Sequence, residues 1–424
     1  MASDEHIAHI GTRLAWGYER FFGMRASDRR SHLYCLGKTG TGKTTLLRNL
    51  IVQDLAAGHG LGLIDPHGDL AQTVLDLIPR SRTEDVVYFD PADTEYPIAF
   101  NPLDSLPAHL RHLVASGVVS AFKNVWHESW GPRTEYILYA AVAALLECQA
   151  ATLLGIQRML SDERYRDWVV RQVKDPLVRS FWVREFGSYD SRFMHEAVAP
   201  IQNKVGQLLM SPLLRNILGQ VKSRIDARFM MDNRRILIAD LSKGRIGEDK
   251  SNLLGSLLVT QFQLAAMSRA DMPESERKDF FLVIDEFQNF ATDSFASILS
   301  EARKYRLCLT LSHQYAAQLR DEVRDAVFGN VGSIVAFRVG QADAFALERE
   351  FDGVYPASHF TELGNHEVCS RLLVDGEQRQ PFMGKTLRPL GIHHGRRETI
   401  IRRSRQKYAT RRDVVEDKIR RWMR

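Results

Sequence analysis

Four cysteines in 424 residues (Cys35, Cys148, Cys308 and Cys369) form no CxxC pair and have no histidine at metal-ligand spacing. That pattern excludes a zinc module and a disulfide framework. Three of the four sit in apolar runs and read as small core residues of a reduced, cytosolic protein. The first residues, MASDEHIAHIG, lack the basic start and apolar core of a secretory leader. No apolar run reaches the roughly 18 residues a membrane span needs. The stretch 137–156 is broken by Glu147 and Gln149, and 253–267 is short and interrupted by Gln261 and Gln263. A cytoplasmic chain is expected, without a transmembrane segment of its own and held at a membrane only through a partner. Repeats and low-complexity stretches are missing as well.

What is present begins with charge. The chain carries 57 Lys and Arg against 52 Asp and Glu, a net of +5. From Arg396 to Arg424 there are twelve basic and four acidic residues, a net of +8, which leaves the rest at −3. The basicity is a C-terminal feature. Such a block either tracks a phosphate backbone or forms a solvated or partner-docking helix. Val415, Ile419 and Trp422 fall on one face of its last helical stretch.

Short β-rich runs alternate with helical periodicity, the signature of an α/β domain with a mainly parallel sheet. The runs are 33–37, 61–65, 86–90, 235–240, 280–286, 307–312 and 333–339. Extended segments follow at VCSRLLVDG and QPFMGKTL. Between Leu106 and about Met231 the β-runs vanish and apolar residues recur every three or four positions, as in an inserted all-α domain. The expected division is an N-terminal segment 1–30, the first part of a motor domain 31–105, the insertion 106–231, the second part of the motor 232–390 and a basic tail 391–424.

The sequence Gly37-Lys38-Thr39-Gly40-Thr41-Gly42-Lys43-Thr44 matches the phosphate-binding loop G-x-x-x-x-G-K-[ST] in full, with Thr45 next in line. A strand precedes it. A helix with Leu47, Leu50, Ile51 and Leu55 on one side follows, and Gly58 stops it. Glycines let backbone N–H groups wrap phosphates, and the helix N-terminus adds partial positive charge. Lys43 is expected at the β- and γ-phosphates of ATP, and Thr44 on Mg²⁺. FFLVIDEFQNF supplies the second half of such a site: an apolar strand ending in Asp285, expected to hold Mg²⁺, and Glu286, expected to polarise the attacking water.

A third strand, LCLTLS, ends in His313-Gln314. In P-loop ATPases with a catalytic glutamate an extra strand lies between the P-loop strand and the acidic strand, and a polar residue at its end faces the γ-phosphate. Gln314 is the candidate sensor or water-positioner, with His313 as the alternative. Arg303, in SEARKYR, is a candidate arginine finger acting across a subunit interface, with Arg29 and Arg30 as rivals. Asp65 opens an Asp-Pro-His-Gly-Asp stretch that also reads as turn chemistry with Asp69 capping a helix.

Taken together, GKTGTGKTTLL, LIDPHGDL, VIDEFQNF, LSEARKYRLCLTLSHQY and GNVGSIVAFRVG resemble the HerA–FtsK superfamily of DNA-pumping ATPases, and most closely the TraG-like coupling proteins of conjugative type IV secretion. The resemblance implies a RecA-like motor interrupted by an all-α domain. It further implies a homo-hexamer with ATP and Mg²⁺ at subunit interfaces and DNA in a central channel. Lys43, Thr44, Asp285, Glu286, Arg303 and Gln314 take the family roles of phosphate lysine, magnesium ligand, strand-end acid, general base, trans-acting arginine and sensor. Expected partners are DNA and either a relaxase and secretion channel or, in a HerA-like alternative, a nuclease in repair or phage defence. Typical coupling proteins carry N-terminal transmembrane helices; here only some thirty residues precede the first strand expected, at Leu33.

Overall fold

The computed structural model describes residues 6–104, 107–293 and 295–423. The chain divides into two compact units. The first comprises residues up to Phe89 with Ala227–Ser242 and Ala265–Ser404; the second comprises Asp90–Asp226, Lys243–Leu264 and Arg405 onward.

The first unit is built on one eleven-stranded sheet, in which β1 (Ile7–Ala15), β2 (Tyr18–Arg25), β10 (Glu367–Arg371) and β13 (Phe382–Thr386) flank seven further strands in the order β2-β1-β13-β10-β9-β3-β8-β7-β4-β6-β5. Seven of these strands run parallel: β3 Leu33–Leu36, β4 Gly60–Asp65, β5 Val86–Phe89, β6 Ile236–Asp240, β7 Phe280–Ile284, β8 Leu307–His313 and β9 Ser333–Ala336. Every residue of these seven strands is buried. Near-continuous Val, Ile, Leu and Phe runs are what a parallel sheet covered on both faces demands. All seven β-runs read from the sequence are strands here, and β8 lies between the P-loop strand β3 and the acidic strand β7 as expected.

The helix Lys43–Ala56 covers this sheet with two adjacent ridges. Leu47, Ile51 and Leu55 meet Leu61, Leu63, Phe281 and Val283, while Leu46 and Leu50 pack with Leu33, Cys35 and Val335. Gly58, in the left-handed region at φ 76°, follows the helix's C-terminal cap. All four cysteines are buried and free.

Past β9 the sheet turns antiparallel through β10 Glu367–Arg371, β13 Phe382–Thr386, β1 Ile7–Ala15 and β2 Tyr18–Arg25; β11 Leu373–Val374 and β12 Glu377–Gln378 pair apart. The N-terminal segment is therefore not a lead-in to the first strand but an edge hairpin of the same sheet. Trp16 and Gly17, both at positive φ, make its two-residue turn. The signal was weak because Trp-Gly replaces the usual Asn-Gly, arginine and histidine interrupt the alternation, and β1 breaks register between His9 and Gly11.

The second unit is helical. Its longest pieces include Arg111–Val125, Pro132–Glu147, Ser191–Ile201 and the C-terminal helix Arg412–Met423. Its limits depart from the 106–231 expected. Residues 90–104 belong to it, and so do 243–264, where Gly117 leaves room for Thr260 and Gln261 donates to the Pro102 carbonyl. The last twenty residues belong to it too: Val415 and Ile419 are buried, and Trp422 packs on Tyr165 and Arg158. The basic tail is thus not a free appendage. Among the described residues no helix is long and apolar enough to cross a membrane.

Candidate nucleotide site

The C-terminal ends of β3, β4, β6, β7 and β8 lie side by side in the parallel sheet, and the chemistry-bearing residues sit at those ends. After β3 the chain turns through Gly37–Gly42 into the helix that Lys43 begins. Gly40 (φ 78°) and Gly42 (φ 122°) hold backbone conformations that only glycine takes without strain. A Cβ on Gly42 would come within 2.7 Å of the His366 ring. Neighbouring backbone pins the loop: Gly37 N–H donates to the His313 carbonyl (3.2 Å), Lys38 N–H to Arg338 (2.8 Å) and His366 N–H to Thr41 (2.8 Å). His366 and Arg338 were not legible as part of this site. They come from segments some 300 residues downstream, and the packing that places them leaves no local pattern.

Lys43 is buried, and its ammonium donates to the carbonyls of Gly37 and Lys38. Burial lowers its pKa, while Glu286 and Asp285 act in the opposite direction. Thr41 donates to the Lys38 carbonyl (2.7 Å), tightening the turn. Thr44 and Thr45 occupy the helix's first turn, where N–H groups have no intrahelical acceptor. Lys38, Thr39 and Gly40 line the exposed side of the loop.

At the end of β7, Asp285 is buried and its N–H donates to Ile64. Burial pushes its carboxyl up to about 6; Asp65 and Glu286 add to the rise and Lys43 opposes it. Glu286 follows in the left-handed region (φ 45°, ψ 53°), a conformation that costs about 1–3 kcal/mol for such a residue and marks functional turns. Its carboxylate accepts from Gln314 Nε2 (2.9 Å) and from Gln288 Nε2 (2.8 Å). The sequence candidates Glu286 and Gln314 thus meet directly. His313 does not compete. Its ring is buried against Tyr34 and Phe287, its Nδ1 lies 3.1 Å from the Tyr34 hydroxyl, and burial, reinforced by Lys43, drives its pKa down to about 3.

Asp65 ends β4 and accepts from the N–H groups of His67 (2.8 Å) and Ala71 (2.9 Å). It, not Asp69, fills the capping role, since the helix Asp69–Leu77 starts from Gly68 and Asp69 lies inside its first turn. Asp65 stands in register with Asp240 on β6, which receives Gln72 and Tyr88. Sequence reading passed over Asp240 because an acid closing a strand looks like ordinary turn chemistry.

The arginines separate cleanly. Arg29 is buried, bidentate to Asp54 (2.6 and 2.8 Å) and stacked over Phe281 at 3.9 Å. Arg30 is bidentate to Asp279. Arg29 is thus committed to a core ion pair, and Arg30 to a partly buried one at the cleft that Arg303 also lines. Arg303 is exposed, in the turn Ala302–Tyr305 that leads into β8, and lines a cleft with Ser27, Ser300 and Lys304. That turn precedes the first residue of β8, whereas the P-loop stands at the far end of the neighbouring strand. Seven residues of strand, roughly 20 Å, separate the two. Arg303 cannot reach its own Lys43.

These residues fit a magnesium nucleotide. The glycine cradle offers N–H groups, Lys43 supplies a cation, and Asp285, with Asp65 and Glu286 near it, gathers buried negative charge that a divalent ion relieves.

Residues 279–348, from just before β7 to within the helix Gln341–Glu350, match a family described as the TraM recognition site of TraD and TraG. The chain resembles the TraG-like coupling proteins. Its fold is close to the bacterial conjugative coupling protein TrwB lacking its first 70 residues: TM-score 0.64, 15% identity, with 88% of each chain covered. TrwB in complex with a non-hydrolysable GTP analogue gives TM-score 0.63 at 16% identity, covering 88% of this chain and 89% of that one. VirB4 of Thermoanaerobacter pseudethanolicus gives 0.56 at 14%, covering 84% and 89%. At these identities the likeness shows a shared RecA-like fold. No curated protein sequence matches this chain.

Proposed function

We propose that the protein is an ATP-hydrolysing motor of the coupling-protein type that moves DNA in conjugative transfer. The observation that carries this reading is the Glu286 carboxylate, fixed by Gln314 and Gln288 at the end of β7 beside the loop that carries Lys43. A carboxylate held in this way accepts a proton from water. Gln314, from the adjacent strand, orients it and carries the state of the phosphate site into β8. Asp285 and Thr44 bind Mg²⁺, which when present supplies charge neutralisation at the phosphates.

Arg303, out of reach of its own P-loop, acts on the nucleotide of a neighbouring copy, so the active form is a ring, proposed as a hexamer around DNA. The match to a TraM recognition region supports a partner of the kind that docks to TraD and TraG. The strands of that region are buried, so the contact falls on its exposed parts, chiefly the helix Asp321–Asn330 with Asp321, Glu322 and Asp325. The test is ATP turnover with and without single- and double-stranded DNA, read beside the mass of the assembly. Stimulation by DNA in an oligomer is expected. A monomer with DNA-independent turnover rejects the motor.

A further inference from the structure

The register of the parallel strands sets five side chains in one rank at the edge that carries the P-loop. Cys35 on β3 stands opposite Ser312 on β8, and Asp65 on β4 opposite Asp240 on β6. Between them, Ile284 of β7 pairs with Leu311 of β8 and Ile64 of β4. The next residue, Asp285, therefore falls between Ser312 and Asp65. Side chains alternate along a strand, so register partners share a face.

The two neighbours of Asp285 differ in what they offer. Asp65 accepts from the N–H groups of His67 and Ala71. Ser312 carries a hydroxyl, which can donate. It is 0% exposed, and its hydroxyl makes no hydrogen bond of ordinary geometry in this structure. The hydroxyl nevertheless lies near enough to the Asp285 carboxyl to oppose the rise that burial imposes on it. One oxygen of that carboxyl, Oδ1, already accepts the Glu286 N–H at 3.1 Å. A small residue is all that packing asks of this position, and alanine would supply it. A buried hydroxyl left without a firm partner needs another reason. A metal-ligating carboxylate beside it gives one, because such carboxylates are held in place by outer hydrogen bonds.

We propose, on the reading of Asp285 as a magnesium ligand, that Ser312 is a positioning residue for it. The Ser312 hydroxyl donates to the Asp285 carboxylate and fixes the orientation in which that carboxylate meets the cation it shares with Thr44. Ser312 itself touches neither nucleotide nor cation.

The test follows binding of a fluorescent non-hydrolysable ATP analogue to the full chain, titrated with Mg²⁺ and repeated in EDTA. Ser312→Ala is expected to raise the half-saturating Mg²⁺ concentration about tenfold. Its binding in EDTA stays at the parental level, and its thermal midpoint does not fall. Asp285→Asn raises the same Mg²⁺ concentration. Adding Ser312→Ala to Asp285→Asn changes it no further, because the two residues act through one contact. An unchanged Mg²⁺ requirement in Ser312→Ala, while Asp285→Asn shifts it, overturns the role of Ser312 and leaves the ligand assignment standing. A further tenfold rise in the double variant overturns it too. So does an equal loss of binding with and without Mg²⁺, which makes Ser312 a packing residue of β8. If Asp285→Asn leaves the Mg²⁺ requirement where it was, the ligand assignment fails and the role of Ser312 with it.

Discussion

The C-terminal edge of the parallel sheet and the helical unit both carry basic residues, and the two kinds behave oppositely. At the sheet edge one lysine, Lys43, is buried, with burial lowering its pKa and its ammonium bonded to loop carbonyls. In the helical unit and the segment leading to it, many cations lie at the surface and several are bound to carboxylates: Arg405 to Asp93, Arg412 to Glu416 and Arg421 to Asp417. Function at the first depends on one charge in a fixed place. At the second, a charge total says little, because the fold has already used much of it.

The largest effect belongs to the sheet edge. Glu286→Gln keeps the shape and the contacts to Gln314 and Gln288 but cannot accept a proton. ATP binding is expected to persist while turnover falls by about 10³-fold or more. Turnover near that of the parent assigns the base elsewhere.

Next come the arginines, which the same composition places in opposite roles. Arg29→Ala leaves the buried Asp54 without its guanidinium and with only His59 beside it, a loss of roughly 3–5 kcal/mol in unfolding free energy. Arg303→Ala touches no core, so its melting point stays and its turnover drops. Mixed with Glu286→Gln subunits, Arg303→Ala subunits regain activity at interfaces that pair one intact base with one intact arginine. Absence of recovery in verified mixed assemblies removes the trans role.

In the helical unit the apolar face of the last helix matters more than its charge. Ile419→Ala opens a space beside Gly219 and a cavity that already flanks the helix, and is expected to cost about 2–4 kcal/mol. Basal ATP turnover per folded molecule stays unchanged. A neutral melting profile means that the helix does not pack as described.

These contrasts also explain what could be read in advance. Phosphate loops and acidic strand ends are local: glycine conformation, a helix start and an apolar strand suffice, so Gly37–Thr44, Asp285 and Glu286 stand out from sequence. Gln314 followed from its place at a strand end. His366 against Gly42, Asp240 against Asp65, and the joining of 243–264 and 405–424 to the helices are contacts between distant segments. Each segment is locally ordinary, so no periodicity marks them. The hairpin at β1 and β2 was lost for a different reason, since its outer positions carry His9, Arg13 and Arg20 and blur the alternation.

A smaller effect follows from Asp285. Its folded carboxyl titrates at about 6, above the ordinary carboxylate range, because burial disfavours the charge. The protonated group therefore supports the nucleotide-free fold at low pH, and that support is lost as pH rises through about 6. Asp285→Asn is expected to stabilise the nucleotide-free protein more at pH 8 than at pH 5, where roughly half of the penalty is already present, by thermal melting. Equal gains at both values mean that packing, not charge, is responsible.

The smallest effect is expected where the sequence showed the largest charge. Twelve basic residues lie between Arg396 and Arg424. Taken as free, their net of +8 suggests a steep salt dependence of DNA binding. In the folded chain Arg397 bonds Asp76, Arg403 bonds Glu84, Arg405 bonds Asp93 and Arg412 bonds Glu416, among others. A phosphate must compete with carboxylates already in place. Exposed pairs are each worth only about 0–1 kcal/mol, so some open, but each that opens exposes an acid that repels DNA. The segment cannot simply be removed, because Val415 and Ile419 are buried in the helical unit. Charge must change without touching that face. Arg402 is exposed and Arg396 half-buried, and neither meets a carboxylate among the described residues. Arg396→Gln with Arg402→Gln is expected to flatten the slope of log affinity against log salt by at most about two units, since each phosphate contact accounts for roughly 0.9. Converting Arg405 and Arg412 to Gln, which are paired, is expected to change it less. If the paired residues prove the larger contributors, the carboxylates yield to DNA and the tail is a nucleic-acid surface after all. If neither pair of substitutions moves the slope, the DNA contact lies wholly outside this segment.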